Sequence, residues 1–193
     1  MTPERTEKIT RVANSRRFDL TVVLENVHDP HNIAAVLRTC DAVGIYEIFT
    51  IDSKIKWSNR LGKKSSSSAN KWVKVNAFKS IEECIPVVKA KYQNMYCTHL
   101  NSEAHSIYEL DFKEKMALVF GNEHDGVSEE LRALCDGNFI IPQIGMISSL
   151  NISVACAVTL YEAFRQKNTI DYQHLFQAEK AELLEHWKQI ASE

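Results

Sequence analysis

Six short runs of apolar and β-branched residues alternate along this chain with segments whose apolar positions recur every three or four residues. The runs at 20–27, 46–51, 72–76, 94–98, 116–120 and 138–142 predict strands. The segments at 3–16, 32–43, 79–91, 128–135, 149–166 and 172–191 predict helices. Such alternation predicts an α/β fold, with a mostly parallel sheet covered by helices on both faces. Local punctuation fits. Gly44 suits a left-handed cap after 32–43. Pro142, which cannot donate to a ladder, stops the strand Asn138-Phe-Ile-Ile. Leu150 to Phe164 is apolar on nearly every face, as a helix buried by a core or by a partner chain is.

Three polar loops follow three of the apolar strands. His28-Asp-Pro-His-Asn32 is a turn with Asx and proline chemistry. Gly121-Asn-Glu-His-Asp-Gly126 leaves the strand Ala117-Leu-Val-Phe120, ahead of a helix that begins near Ser128 with Glu129 and Glu130 in its first turn. Gly145, Ser148, Ser149, Asn151 and Ser153 crowd the mouth of the greasy last-but-one helix. Capping by Ser148 or Ser149 accounts for one or two of these groups, and Asn32 could equally cap the helix that follows it. It does not account for all of them. In open α/β sheets, the carboxyl ends of the strands are where ligands bind.

Neither a Gly-x-Gly-x-x-Gly turn nor a P-loop follows the first strand, so a classical nucleotide fold is not announced. The segments ENVHDPHNIAAVLRTCDAVGI (25–45), LVFGNEHDGVS (118–128) and IPQIGMISSLNISVACAVTLYEAF (141–164) instead resemble the three motifs of the SpoU branch of the SPOUT RNA methyltransferases. Order, spacing and nearly every polar position match between Thr21 and Arg165. Within the branch the chain is most similar to the TrmH-type tRNA ribose 2′-O-methyltransferases, on the segment ending Arg16-Arg17-Phe-Asp-Leu and on GKKSSSSANKWVKV (62–75).

The resemblance implies a SPOUT fold with a carboxyl-terminal trefoil knot, a homodimer, and S-adenosyl-L-methionine bound largely through backbone groups. It places the cofactor near Thr98, Leu100, Gly121, Ile141, Met146 and Leu150. Glycine at 121 would let a backbone donor approach the ligand closely, though it could equally just end its strand. The resemblance also implies catalytic roles for Arg38, Asn32, Glu123, Ser149 and Asn151. Arg38 is the family's catalytic arginine. A guanidinium is a poor proton acceptor, so a substrate phosphate or water could take the proton while Arg38 steadies negative charge. The bland alternative is an ion pair with Asp41 one turn along the helix. Glu123 is expected to position Asn32, Arg38 or nearby backbone. The substrate implied is guanosine-18 in the D-loop of tRNA. Ribosomal RNA, the tRNA wobble nucleotide, or a non-catalytic RNA-binding module of the same fold are the alternatives.

Composition changes the picture in one respect. The formal net charge is only −2 over 193 residues, but it is unevenly spread. Residues 1–80 hold 14 Lys and Arg against 8 Asp and Glu, whereas 81–193 hold 9 against 17. That asymmetry suggests a polyanion partner for the first half. Arg11, Arg16 and Arg17 by the first helix, His31, and Lys63 and Lys64 in a basic loop are the candidate RNA contacts. Five scattered cysteines (40, 84, 97, 135 and 156) suit reduced, packed thiols. No metal-ligand spacing, run of about 18 apolar residues or secretory leader is visible, so no metal, no membrane and a cytoplasmic setting are expected. The domain reading is a helical RNA-binding extension at 1–17, a methyltransferase domain at 18–166 and a terminal helix at 167–193.

Overall fold

A computed structural model describes residues 1–53, 69–100, 104–172 and 174–192. Lys63 and Lys64 lie outside the described residues. Seven strands form one sheet: β1 (Leu20–Glu25), β2 (Glu47–Ile51), β3 (Lys74–Phe78), β4 (Asn94–Thr98), β5 (His105–Ser106), β6 (Met116–Phe120) and β7 (Gly137–Ile140). Their order is β3-β2-β1-β6-β4-β7-β5, and every pairing is parallel. The two-residue β5 was not expected; it is too short to carry a pattern. β7, the last strand in the chain, sits between β4 and β5, both laid down earlier.

The helices are α1 (Pro3–Asn14), α2 (Pro30–Val43), α3 (Ile81–Lys89), α4 (Glu129–Ala133), α5 (Ile152–Lys167) and α6 (Gln177–Ser192). β1, β2 and β6 are buried along their whole length, as strands covered on both faces should be. One face packs into a core with Val36, Leu37, Cys40, Cys156 and Leu160 from α2 and α5. The other packs into a second core with Ile81, Cys84, Val88 and Leu131 from α3 and α4. Gly44 ends α2 at φ 86°, in the left-handed region its sequence position called for.

α1 and α6 pack against each other in a third cluster built on Ile9, Ala13, Leu183 and Trp187. This corrects the reading of Arg16 and Arg17 as RNA contacts. Arg16 is fully buried, paired with Asp41, donating to the Ile45 carbonyl at 3.1 Å and lying 5.0 Å from the centroid of the Trp187 ring. Arg17 donates to Asn168 Oδ1 at 2.8 Å and stacks 4.4 Å from Tyr172. Two adjacent arginines look like a phosphate clamp in a sequence; here they bolt the terminal helices to the body. α5 runs on to Lys167, whose buried ammonium donates to Asp19 at 2.7 Å and to the carbonyls of Lys113 and Glu114. Among the described residues no helix is long and apolar enough to cross a membrane.

Candidate active site

Because all the strands are parallel, β1, β6, β4 and β7 lie side by side and release their chains at the same edge of the sheet. The three polar loops therefore meet. The second and third, with the chain leaving β4, line a cavity of about 520 Å³, a size suited to a cofactor. Its lining includes Thr98 to Leu100, Phe120 to Gly126, Phe139 to Ile141 and Ser148 to Ile152. Phe120 and Phe139 meet edge to face with centroids 6.1 Å apart and give it a rigid apolar wall.

Thr98, Leu100, Gly121, Ile141 and Leu150, all expected at the cofactor, line this cavity. Met146 does not; it is fully exposed on the loop between β7 and α5. Glycine at 121 is demanded by the protein itself. A Cβ there would stand 1.9 Å from the Gly126 carbonyl carbon and 2.1 Å from the Val127 nitrogen. The loop folds back on its own start, closed by Asn122 N–H to Gly126 O at 3.2 Å and Gly126 N–H to Asn122 O at 3.0 Å. This steric demand is a reason the sequence does not display, and its result is a tight backbone turn in the cavity wall.

Three of the five expected catalytic residues form a hydrogen-bonded chain. Asn32 Nδ2 donates to Glu123 Oε1 at 2.7 Å, and Asn151 Nδ2 donates to Asn32 Oδ1 at 3.1 Å. Each comes from a different motif, so all three motif loops are tied at Asn32, which is buried. Asn32 does not cap its helix: Asp29 does, accepting from His31 N–H at 2.8 Å. Asn151 does cap α5, accepting from Ser153 N–H at 2.9 Å, so the cap expected at Ser148 or Ser149 sits further along. One amide thus serves twice, its oxygen on the helix and its nitrogen on Asn32. Ser149 is exposed in the cavity lining and free to face a ligand.

Arg38 is not brought into the cavity. It is exposed on α2, six residues past Asn32, which is about 9 Å along the axis and on a different face. Asp41, its alternative partner, belongs to Arg16. Arg38 makes no ion pair or hydrogen bond among the described residues, which leaves its guanidinium available to an anion. His31 and Arg11 are likewise exposed.

Two contributors were missed from sequence. Glu25, buried at the end of β1, accepts from Ser128 N–H at 2.8 Å and anchors the far end of the second loop. Asn122 accepts from His124 N–H at 2.7 Å and Asp125 N–H at 2.9 Å and sets that loop's shape. A buried glutamate ending an apolar strand was the available signal for the first. The second is an Asx turn inside a motif already singled out. Among the described residues no three His, Cys, Asp or Glu side chains are placed to hold a metal ion.

Comparison with known proteins agrees with this geometry. Residues 19–161 match the SpoU rRNA Methylase family. The chain is 42% identical over 168 residues to a tRNA (guanosine(18)-2′-O)-methyltransferase of Thermus thermophilus, an overlap covering 86% of this chain and 84% of the relative. The A. aeolicus TrmH/SpoU tRNA modifying enzyme superposes with a TM-score of 0.82 at 31% identity, over 95% of this chain and 94% of that one. The SpoU methyltransferase AviRb from Streptomyces viridochromogenes, solved in complex with AdoMet, gives 0.71 at 27% identity over 79% of this chain and 60% of that one. A sheet whose strand ends bring three motif loops together, two of them lining one cavity, matched over most of the chain by these relatives, places this protein in the SpoU methylase family.

Proposed function

We propose that this protein transfers a methyl group from S-adenosyl-L-methionine to a ribose 2′-hydroxyl in RNA, at guanosine-18 in the D-loop of tRNA. The observation that carries the reading is the Glu123–Asn32–Asn151 chain at the rim of a cofactor-sized cavity. The cofactor carries an electrophilic methyl on a sulfonium that is already a good leaving group. What remains for the protein is to align the hydroxyl with that methyl and help remove its proton. The cavity fits the group: apolar Phe120, Phe139, Ile141 and Leu150 alternate with backbone at strand ends, and among the described residues that line it no lysine or arginine opposes a sulfonium.

Asn32 locks the second and third loops to the first, so the cavity wall and the substrate-facing surface keep one geometry. Ser149, exposed beside Asn151, offers a hydroxyl to the ribose or its phosphate. Arg38, exposed and without a partner among the described residues, binds the phosphate next to the target ribose and stabilises charge as the hydroxyl loses its proton. The exposed Arg5, Lys8 and Arg11 along α1, together with Lys71 in the turn before β3 and Lys74 at its start, track the RNA backbone.

The same reading makes the protein a cytoplasmic homodimer with a knotted carboxyl-terminal half. The insertion of β7 between β4 and β5 supports the threading. Ile144 and Met146, both fully exposed, and Val154 and Tyr161, about half exposed on α5, support a covered apolar face.

The test is methyl transfer from labelled cofactor to unmodified tRNA and ribosomal RNA, followed by nucleoside mapping. Expected is 2′-O-methylguanosine at tRNA position 18, lost in Arg38→Lys while binding of S-adenosylhomocysteine survives. Label only at the wobble position or only in ribosomal RNA would overturn the substrate. Failure to bind S-adenosylhomocysteine would overturn the enzyme and leave a binding module.

A further inference from the structure

A second link between the first two motif loops runs through a histidine to which the sequence assigns no role. Asn122 Nδ2 lies 3.0 Å from His28 Nε2. The direction of that hydrogen bond is settled by the other end of the amide. Asn122 Oδ1 accepts from the backbone N–H groups of His124 and Asp125, at 2.7 and 2.9 Å. The amide cannot be turned over without setting its NH₂ against two donors, so the atom facing His28 is the nitrogen, a pure donor. His28 Nε2 must therefore accept. Only a neutral imidazole carrying its proton on Nδ1 does so.

We propose that His28 is a positioning residue for the methyl transfer proposed above: neutral, it holds the loop 122–126 in its binding shape, and protonated, it releases it. That loop forms part of the cavity wall and carries Glu123, the partner of Asn32. Protonation puts an N–H on Nε2, so two donors face each other across 3.0 Å. Asn122 must then move, and it is the residue whose side chain and backbone together close the loop. The cavity wall, already so tight that a Cβ at Gly121 has no room, cannot absorb the shift.

Among the described residues, the charged and titratable groups around His28 are these. Asp52 at the end of β2 interacts with it electrostatically. Asp29 and His31 lie beside it in the first loop, and Glu123, His124 and Asp125 ride on the loop that Asn122 holds. Glu25, at the end of β1, is held by the Ser128 N–H. Asp52 is the group whose titration could be mistaken for that of His28. Its carboxyl is raised to about 6 by burial, so it needs its own control.

The experiment is the affinity for S-adenosylhomocysteine measured by calorimetry from pH 8 to pH 5.5, with ¹⁵N spectra of the histidine rings in the same protein. Wild-type affinity should fall several-fold over this range, because the form that accepts from Asn122 is the one that holds the loop. His28→Ala should bind weakly at every pH. His28→Gln supplies an oxygen acceptor that does not titrate; it should restore affinity and abolish the acid loss. Asn122→Asp, which can accept from Nε2–H as well, should also lose the acid fall. Asp52→Asn should keep it. The spectra should show the Nδ1–H tautomer at pH 8. An Nε2–H tautomer, or an unchanged acid fall in His28→Gln, would overturn the proposal. The tautomer is read without ligand, so failure of the methyltransferase reading leaves this test standing.

Discussion

Asn32→Asp separates the two halves of the chain that ties the site together. The side chains have the same shape, and aspartate still accepts from Asn151 Nδ2 across the 3.1 Å contact. On the other side, a donor 2.7 Å from Glu123 becomes a second carboxylate. The hydrogen bond to a charged group that is lost is worth roughly 1.5–3 kcal/mol. Two carboxylates retreating to about 4 Å repel by ~1 kcal/mol if fully hydrated and ~4 kcal/mol at an effective dielectric of about 20. Glu123 is exposed, so the lower part of that range applies. Together the cost is about 3 kcal/mol, or roughly a hundredfold loss of methyl transfer at pH 7.5. The assay is kcat/KM on unmodified tRNA, with S-adenosylhomocysteine affinity alongside. Adding Glu123→Gln to Asn32→Asp restores a donor–acceptor pair with its sense reversed and should recover about tenfold, a coupling that a double-mutant cycle isolates. Wild-type activity in Asn32→Asp, or no recovery in the double variant, would show that the Asn32–Glu123 contact does not hold the site.

Gly121→Ala must push the 126–127 backbone outward by about 1 Å to relieve its 1.9–2.1 Å contacts, at a cost of about 1–3 kcal/mol. Its S-adenosylhomocysteine affinity should fall at least tenfold, and an unchanged affinity would separate the loop from the cofactor site. Arg16→Ala removes a buried guanidinium from a partly exposed carboxylate and from its contact with Trp187; it should lower thermal stability by about 2 kcal/mol, mostly through lost packing and hydrogen bonds, and leave the salt dependence of tRNA binding unchanged. A flatter salt dependence with unchanged stability would return Arg16 to the RNA surface. Asp52→Asn tests linkage. Burial raises the folded carboxyl to about 6, above its unfolded value, so the native state is favoured with the proton on, and that contribution is lost as pH rises through 6. The amide variant should therefore be more stable than wild type at pH 8, by about 1 kcal/mol after allowing for the group's partial exposure, with the difference vanishing below pH 4. A constant difference across pH would remove Asp52 as its source.

Local pattern carried most of the architecture. The strand at 116–120 and the left-handed cap at Gly44 could be placed from residues alone, because burial on both faces leaves an unbroken apolar run and a helix end needs a residue tolerant of positive φ. The convergence of three loops was also legible, since parallel strands release their loops at one edge. The assignment of the motif residues came from resemblance rather than from periodicity. What the sequence could not carry was which polar group meets which. Arg16 and Arg17 are as basic as Arg11, yet packing turned two inward against Trp187 and Tyr172 and left one in water. Asn32 and Asn151 both sit where a cap is expected, and only the distance between α2 and α5 made one the hub and the other the cap. Gly121 owes its identity to a carbonyl five residues later. Hydrogen-bond partners and steric contacts are fixed by separations of about 3 Å between chain segments up to 151 residues apart, and no local pattern encodes those.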